Sequence, residues 1–215
     1  MILKQLRLKS NIDNITTNCY IIYDEKNNEA MVIDPAGEVD KIDELLDVLQ
    51  AKLKYIYLTH CHADHIGGVK ELQNLKGGKV LIHSEDYEGL KEPNINLSAL
   101  MCNERLSIDA DARVNDGDIL HVGNLEFRVI HTPGHTRGGS SLYCESENMV
   151  FAGDTLFKGM WGRTDLPTSN FNEIINSINN KLLVLPGDTI VYPGHGISTQ
   201  IQEEEPIDEN LLLED

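Results

Sequence analysis

The stretch Thr59-His60-Cys61-His62-Ala63-Asp64-His65 holds three histidines and one aspartate whose side chains bind metal ions well at neutral pH. The apolar run before it, residues 53–58, is rich in β-branched and aromatic residues and predicts a buried strand. The run after it, residues 66–72, predicts the start of a helix. The motif therefore lies on a strand-to-helix turn, where side chains can converge beyond the carboxyl end of the strand.

A structural zinc site is the simpler explanation for these four residues. Four ligands can close a tetrahedron, but a spacing this tight cannot wrap well around a single ion. Two ions that share the cluster fit the spacing better, provided that the rest of the chain supplies further ligands. We therefore looked for ligand-type residues at the ends of the other predicted strands.

The composition is that of an ordinary globular protein with a strongly acidic surface. The 215 residues are 40% hydrophobic and 25% charged, and they favour a single domain over residues 1–215. The formal net charge of −17 disfavours a nucleic-acid partner, which would need a basic footprint. We expect a small-molecule substrate instead, and the oligomeric state stays open.

Targeting and redox signals point to the cytoplasm. Residues 1–10 alternate apolar and charged side chains, so they do not form the apolar segment of a signal peptide. Since no stretch approaches about eighteen apolar residues, no membrane span is expected. Cys19, Cys61, Cys102 and Cys144 form no C-x-x-C pair, which argues against a zinc ribbon or a disulfide scaffold. The expected compartment is a reducing cytoplasm.

The remaining pattern predicts an α/β fold built from two similar halves. Apolar runs predict strands at 3–8, 17–23, 29–34, 53–58, 79–83, 119–122, 125–130, 140–144, 149–152 and 189–192. Helical spacing predicts helices at 39–51 and 171–183, whereas 84–113 is expected to be a loop with short helical pieces. That loop is either an active-site cover or a plain surface excursion. Two halves packed sheet to sheet, with helices outside, would form a four-layer αββα sandwich.

Three more ligand-type residues follow apolar strands. They are His135, Asp154 and His195, and each lies in a glycine-containing turn that allows close approach of the backbone. Together with the cluster they make five histidines and two aspartates, which favours a shared site for two metal ions. The other three histidines, His83, His121 and His131, do not fit this pattern, and we expect them to be structural.

Through these residues and the motifs around them, the sequence resembles the metallo-β-lactamase fold superfamily. Within it, the sequence is similar to the glyoxalase II (hydroxyacylglutathione hydrolase) branch and its short bacterial relatives. The motifs that carry the resemblance are Thr-His-Cys-His-Ala-Asp-His at 59–65, Thr-Pro-Gly-His-Thr at 132–136, Ala-Gly-Asp-Thr-Leu-Phe at 152–157 and Tyr-Pro-Gly-His-Gly at 192–196. The resemblance spans about residues 15–205 and implies the αββα sandwich of the metallo-β-lactamase type.

The resemblance also implies a ligand set for two divalent metal ions. The first ion would be held by His60, His62 and His135, and the second by Asp64, His65 and His195. Asp154 would bridge both ions, together with a water or hydroxide. The metals of that branch are usually Zn²⁺, although iron and manganese also occur.

Such a site suits the hydrolysis of a thioester, for example S-D-lactoylglutathione or a related acyl-thiol. Two cations lower the pKa of a shared water from about 15.7 to about 7, so a metal-bridging hydroxide exists at neutral pH. A thiolate is a good leaving group, because the pKa of a thiol is about 8.5. Asp64 is the candidate catalytic residue that orients the nucleophile and accepts its proton. Thr59, Thr132 and Thr155 are candidate hydrogen-bond partners of the ligands.

The substrate contacts are expected near the bridging aspartate. Lys158 and Arg163, with Arg137 as a third cation, are candidates to receive a substrate carboxylate. In full-length glyoxalase II enzymes a lysine stands at the position of Arg163 and a tyrosine at that of Asp165. Those enzymes also carry a C-terminal helical domain, which we do not expect here because the chain ends soon after His195. These departures favour another thiol carrier or a broader thioester specificity.

Several other functions are compatible with the same motif. An iron-dependent persulfide dioxygenase of this fold uses one iron that two histidines and one aspartate hold. Hydrolysis of a lactone or a β-lactam needs the same hydroxide, although the missing secretion signal counts against a β-lactamase. Flavodiiron oxygen reductases have glutamate at the position of His62, and nucleases do not suit the acidic charge. A metal-binding protein without activity is the non-enzymatic alternative.

Overall fold

The computed structural model of the chain describes residues 1–10, 12, 15–102 and 104–208. Its first sheet has six strands in the order β1-β2-β3-β4-β5-β6. These strands are β1 (Ile2–Lys9), β2 (Thr16–Asp24), β3 (Glu29–Ile33), β4 (Lys52–Leu58), β5 (Lys79–His83) and β6 (Ala112–Val114). The first three pair antiparallel in a meander, and β3 to β6 run parallel to one another.

The second sheet also has six strands. In chain order the second half forms β7 (Ile119–Val122), β8 (Leu125–His131), β9 (Ser140–Cys144), β10 (Met149–Gly153), a hairpin of β11 (Leu156–Phe157) and β12 (Met160–Trp161), β13 (Ile190–Pro193) and β14 (Thr199–Gln200). The hairpin stands apart, and the sheet order is β14-β13-β10-β9-β8-β7. Because β8 and β13 are both parallel to β10, their carboxyl ends lie at the same edge of this sheet.

The helices cover the outer faces of the two sheets. They are α1 (Val39–Val48), α2 (Ala63–Ile66), α3 (Val69–Lys76), α4 (Ser98–Met101) and α5 (Phe171–Ser177), which continues as a π-helical turn at Ile178–Leu182. None of the helices in the described part of the chain is long and apolar enough to cross a membrane.

Alternation along the strands creates the four layers. In β2, Cys19 and Ile21 pack against α1 and α3, whereas Tyr20 and Ile22 face the second sheet. Successive side chains of a strand point to opposite faces, so a fully apolar strand such as β2 can serve two cores at once. A third core joins the outer face of the second sheet to α5. The predicted αββα sandwich is therefore confirmed.

Besides the short strands β11, β12 and β14, which were not predicted, the structure departs from the predicted elements at two places. The helix predicted to reach residue 51 ends at Val48, because Gln50 adopts a positive φ of 53° and the Ala51 amide turns back to Leu46. The segment 84–113 does contain short helical pieces, including α4, but it ends in the edge strand β6. Three residues with two exposed side chains carry too little pattern to predict that strand.

Candidate metal centre

Three histidine rings meet at the carboxyl ends of β4 and β8. One ring nitrogen from each of His60, His62 and His135 lies within 4.8 Å of the others, and Nδ1 of His62 is 3.0 Å from Nε2 of His135. In two of the rings, those of His60 and His135, another nitrogen is held by an oxygen atom. Nδ1 of His60 contacts Thr59 Oγ1 at 3.1 Å, and Nδ1 of His135 contacts the Arg163 carbonyl at 2.9 Å. These contacts fix the orientation of the His60 and His135 rings.

A second group of candidate ligands lies between α2, which contains Asp64 and His65, and the carboxyl end of β13, which precedes His195. Asp64, His65 and His195 also offer ligand atoms within 4.8 Å of one another. Nε2 of His195 is 3.2 Å from Asp64 Oδ2 and 3.3 Å from Nε2 of His65. Again the far nitrogens are fixed, since Nδ1 of His65 contacts Asp34 at 2.9 Å and Nδ1 of His195 contacts the Thr16 carbonyl at 2.9 Å.

Asp154 stands between the two groups. Its Oδ1 lies 3.4 Å from Nε2 of His65, and its Oδ2 lies 3.5 Å from Nε2 of His135 and 3.4 Å from Nε2 of His195. A side chain at Gly194 would overlap Oδ1 of Asp154, so this turn requires glycine. The carboxylate therefore lies within 3.5 Å of ring nitrogens from both groups.

The donor set fits metal ions on physical grounds. Nε2 of His60, Nε2 of His62 and Oδ1 of Asp154 are buried and have no hydrogen-bond partner among the described residues. A buried polar atom without a partner destabilises a fold, and such atoms normally occur only where another ligand is bound. Imidazole and carboxylate are the ligands that Zn²⁺, Fe²⁺ and Mn²⁺ accept.

The electrostatics of the first group favour neutral imidazoles. Burial and the neighbouring ring of His65 hold the pKa of His60 well below its usual range. Burial and the ring of His135 lower the pKa of His62 to about 3. A neutral imidazole is the form that coordinates a metal, so these rings are in the ligating state at neutral pH.

The second group carries the opposite bias. Burial lowers the pKa of His65, but Asp154, Asp64 and Asp34 raise it further, and the net shift is upward. Burial likewise opposes Asp154 at His195, whose pKa rises to about 10. Burial raises the pKa of Asp154, yet His195 and His65 hold it well below its usual value. Carboxylates thus create a negative site that only protons or metal cations can balance.

Asp34 is a residue that our sequence reasoning missed. It lies just past β3, is 1% exposed, and accepts hydrogen bonds from the Thr59 amide at 2.8 Å, Thr59 Oγ1 at 2.7 Å and the His65 ring. Its φ of 52° is uncommon for a residue other than glycine. Its position before Pro35, at the end of a strand next to the motif strand, was the available signal.

Asp86 is a second residue that the sequence did not single out. Its buried carboxylate accepts hydrogen bonds from the Cys61 amide at 3.1 Å, Thr136 Oγ1 at 2.7 Å and the Gly138 amide at 2.7 Å. Burial raises its pKa, and these donors counteract the shift. Cys61 stands between two ligands and Thr136 follows a third, so Asp86 joins both loops that build the first group.

A cavity of about 380 Å³ opens onto both groups. It is lined by the site residues His62, Asp64, His135, Asp154 and His195, by the apolar residues Ile15, Leu97, Met101, Phe157 and Leu166, and by Gly162 and Arg163. This volume is at the small end of the range for ligand pockets, which is about 300–1,000 Å³.

The three candidate substrate cations have different positions. Arg163 lines the cavity, and its guanidinium forms two hydrogen bonds of 2.7 Å with the carboxylate of Asp165. Lys158 lies outside the lining and pairs with Glu203 at 3.0 Å. Arg137 lines a separate cavity on the other side of the His135 loop.

The remaining histidines and threonines mostly lie away from the ligand atoms. His83 and His131 stack with ring centroids 4.0 Å apart beside the separate cavity, and His121 is exposed on β7. Thr132 and Thr155 contact each other at 3.0 Å. Among the threonines named above, Thr59 is the one whose hydroxyl contacts a ring of the two groups in the described hydrogen bonds.

Sequence comparison identifies the family that this fold and site define. The model of the metallo-β-lactamase superfamily matches residues 12–195, and the chain belongs to this superfamily. A curated relative named hydroxyacylglutathione hydrolase GloC, from Haemophilus influenzae, is 34% identical over 87% of this chain and 89% of its own length. The predicted family and its glyoxalase II-like branch are thus confirmed.

Solved structures agree with this assignment. The BLEG-1 B3 metallo-β-lactamase superimposes with a TM-score of 0.87 at 35% identity and covers both chains fully. ETHE1 from Myxococcus xanthus gives 0.76 at 32% identity, over 94% of this chain and 81% of that one. TTHA1623, solved in a di-iron-bound form, gives 0.80 at 28% identity over 93% of this chain and 96% of that one.

Proposed function

We propose that the chain is a dinuclear metal-dependent hydrolase that cleaves a thioester such as S-D-lactoylglutathione or a related acyl-thiol. The observation that carries the proposal is the position of Asp154, whose carboxylate lies within 3.5 Å of nitrogens from both histidine groups. The similarity to a relative named hydroxyacylglutathione hydrolase supports the thioester.

The proposed ligands follow the two groups. His60, His62 and His135 would hold the first ion, each through one ring nitrogen. The second ion would be held by Asp64, His65 and His195, and Asp154 would contact both. The ions are divalent, with Zn²⁺ first and iron next, because a similar structure was solved with two irons.

When bound, two such ions lower the pKa of a shared water and polarise the carbonyl that this water attacks. Asp64 lines the cavity and is our candidate to orient that water and accept its proton. Burial raises the pKa of Asp64, but His65 and His195 lower it further, so the group is an ionised acceptor at neutral pH. The departing thiolate needs no acid, because a thiol has a pKa of about 8.5.

Hydrogen bonds within the chain also fix the orientation of four of the candidate ligand rings. Each of His60, His65, His135 and His195 has its far nitrogen on an oxygen atom of the protein. Rings held in this way cannot rotate away from the site when substrate enters, and this fixed orientation favours catalysis. Arg163 at the rim remains the candidate contact for a substrate carboxylate.

The test is hydrolysis of S-D-lactoylglutathione by the zinc-loaded protein, followed as loss of thioester absorbance, with His62→Ala as the blank. A lactone and a β-lactam belong in the same panel, since the BLEG-1 structure is named for β-lactamase activity. Turnover of the thioester that disappears in the blank supports the proposal. Turnover of a ring substrate alone would replace the thioester with that substrate.

A second candidate is iron-dependent persulfide oxidation. One observation favours it: His60, His65 and Asp154 also lie within 4.8 Å of one another. Two histidines and one carboxylate are the ligand set of non-haem iron oxygenases. Oxygen uptake by the iron-loaded protein with glutathione persulfide, at one iron per chain, would favour this function over hydrolysis.

A further inference from the structure

We propose that the substrate carries an apolar acyl group, and that this group binds against a wall of five apolar side chains beside the metal centre. The inference rests on the proposed thioester hydrolase and adds the class of acyl group that the site selects. The five side chains are Ile15, Leu97, Met101, Phe157 and Leu166. They line the same cavity as His62 and His135, so an acyl carbon near the reacting centre has them as neighbours.

The wall is a built feature of the fold. Leu97 is only 4% exposed and has a φ of 68°, a conformation that is a genuine outlier for a bulky side chain. Asn96 holds it in place, because its side-chain amide donates to the carbonyls of Leu90 at 3.1 Å and Leu106 at 3.0 Å. Backbone strain of this kind persists only where the surroundings fix it, and it clusters at ligand sites.

The same segment is tied to the metal-binding turn. The Asn96 carbonyl accepts a hydrogen bond of 2.8 Å from the amide of Ala63, which stands between His62 and Asp64. The Ser98 amide, at the start of α4, donates back to the Asn96 side chain at 3.0 Å. Leu97 and Met101 are therefore held at a fixed distance from the ligand loop, as a specificity wall must be.

The cavity offers few cationic side chains to an anionic substrate. Arg163 is the one Lys or Arg among the described lining residues, and two of its donors, Nε and Nη2, already bond to Asp165. Five of the twelve lining residues have apolar side chains, and the net charge of −17 on the chain disfavours an anionic substrate at long range. Binding energy must then come mainly from apolar contact, at about 0.8 kcal/mol per buried methylene.

The reaction balances without a further reagent. The oxygen of water bonds to the acyl carbon, the carbon–sulfur bond breaks, and the sulfur leaves with its electron pair and takes up one proton of that water. The second proton is released to solvent when the acid product ionises. The products are a carboxylate with an apolar tail and a free thiol. The five side chains of the wall carry no charge, so they form no ion pair that would slow the release of either product.

The experiment measures kcat/KM for acetyl, butanoyl and hexanoyl thioesters of one small uncharged thiol, N-acetylcysteamine, with the metal-loaded protein. Each methylene that becomes buried raises kcat/KM about fourfold, so we expect a rise of at least about tenfold from acetyl to hexanoyl. Met101→Gln, which keeps the length of the side chain, should lower kcat/KM for the hexanoyl ester more than for the acetyl ester and so flatten this rise. Leu97→Asn should do the same, since asparagine tolerates this backbone conformation.

Leu100→Gln is the matched control. Leu100 lies in the same helix as Met101, is 81% exposed and does not line the cavity, so the rise with chain length should stay unchanged. Cleavage of all three esters without a dependence on chain length would overturn this inference and leave the proposed function standing. Failure to cleave any thioester would overturn both. An equal rise in the wild type, Met101→Gln and Leu97→Asn would place the acyl group elsewhere.

Discussion

Oδ2 of Asp34 accepts a hydrogen bond from Nδ1 of His65 at 2.9 Å, so an aspartate 31 positions earlier in the chain fixes the ring of a candidate ligand. The pairing leaves Nε2 of His65 facing His195 and Asp154. Carboxylate–histidine pairs of this kind orient the ring and raise its basicity toward a metal.

Replacement of this carboxylate should weaken the second metal ion more than the first. We expect Asp34→Asn to lower the affinity of the Asp64, His65 and His195 group by about 10- to 100-fold, because the amide keeps the shape but loses the charge. Competition with a chelator measures both binding constants. Asp24→Asn is the control, since Asp24 is also buried but lies at the opposite end of β2 from Thr16, which contacts His195. Equal affinities in Asp34→Asn and the wild type would refute this role.

Removal of the central carboxylate should affect both ions. Asp154→Ala removes a carboxylate that lies within 3.5 Å of His65, His135 and His195. We therefore expect metal content to fall from two ions per chain to less than one, with turnover at the level of the blank. Metal analysis after gel filtration checks this, and Asp165→Ala, at the rim, should retain both ions. Two ions and a normal rate in Asp154→Ala would mean that the carboxylate does not bridge.

The three hydrogen bonds that Asp86 accepts should contribute to the free energy of unfolding. Asp86→Ala would leave the amides of Cys61 and Gly138 and the hydroxyl of Thr136 without an acceptor. An unpaired buried donor destabilises by about 1–3 kcal/mol, so we expect the free energy of unfolding in urea to fall by about 3 kcal/mol or more. Thr136→Val removes one donor together with its need for an acceptor, and it should lower stability by about 1 kcal/mol. If the free energy of unfolding fell equally in both variants, Asp86 would not stabilise the fold through all three hydrogen bonds.

His83 should make stability depend on pH. Burial and the stacked ring of His131 lower the pKa of His83 to about 4, whereas an unfolded histidine has a pKa of about 6.5. The folded state then binds fewer protons, so this contribution is complete above pH 6.5 and is lost as pH falls from 6.5 through 4. Because the ring borders an open cavity, we expect on the order of 1–2 kcal/mol rather than the full value of about 3 kcal/mol.

His83→Gln tests this expectation in the metal-free protein. The free energy of unfolding of the variant should fall less steeply between pH 6.5 and pH 4 than that of the wild type. His121→Gln serves as the control, because His121 is 56% exposed on the surface. Parallel curves for His83→Gln and the wild type would show that His83 does not titrate in this range.

The sequence predicts most of the fold because long apolar runs form the strands that serve two cores. It also places seven ligand-type residues at strand ends, and all seven lie at one rim in the structure. Asp34, Asp86 and Leu97 could not be predicted in the same way. Their roles depend on contacts between distant segments, such as the 52 positions that separate Asp86 from Gly138, and on backbone conformations that no local pattern encodes.

The most direct test of the dinuclear site is a metal titration of the metal-free protein. Zn²⁺ would be added in fractions of an equivalent, and hydrolysis of a thioester would be measured at each step. Our account predicts that the rate rises to a plateau at two equivalents per chain, because the two groups joined by Asp154 act together. A plateau at one equivalent, or no hydrolysis with two ions bound, would contradict it.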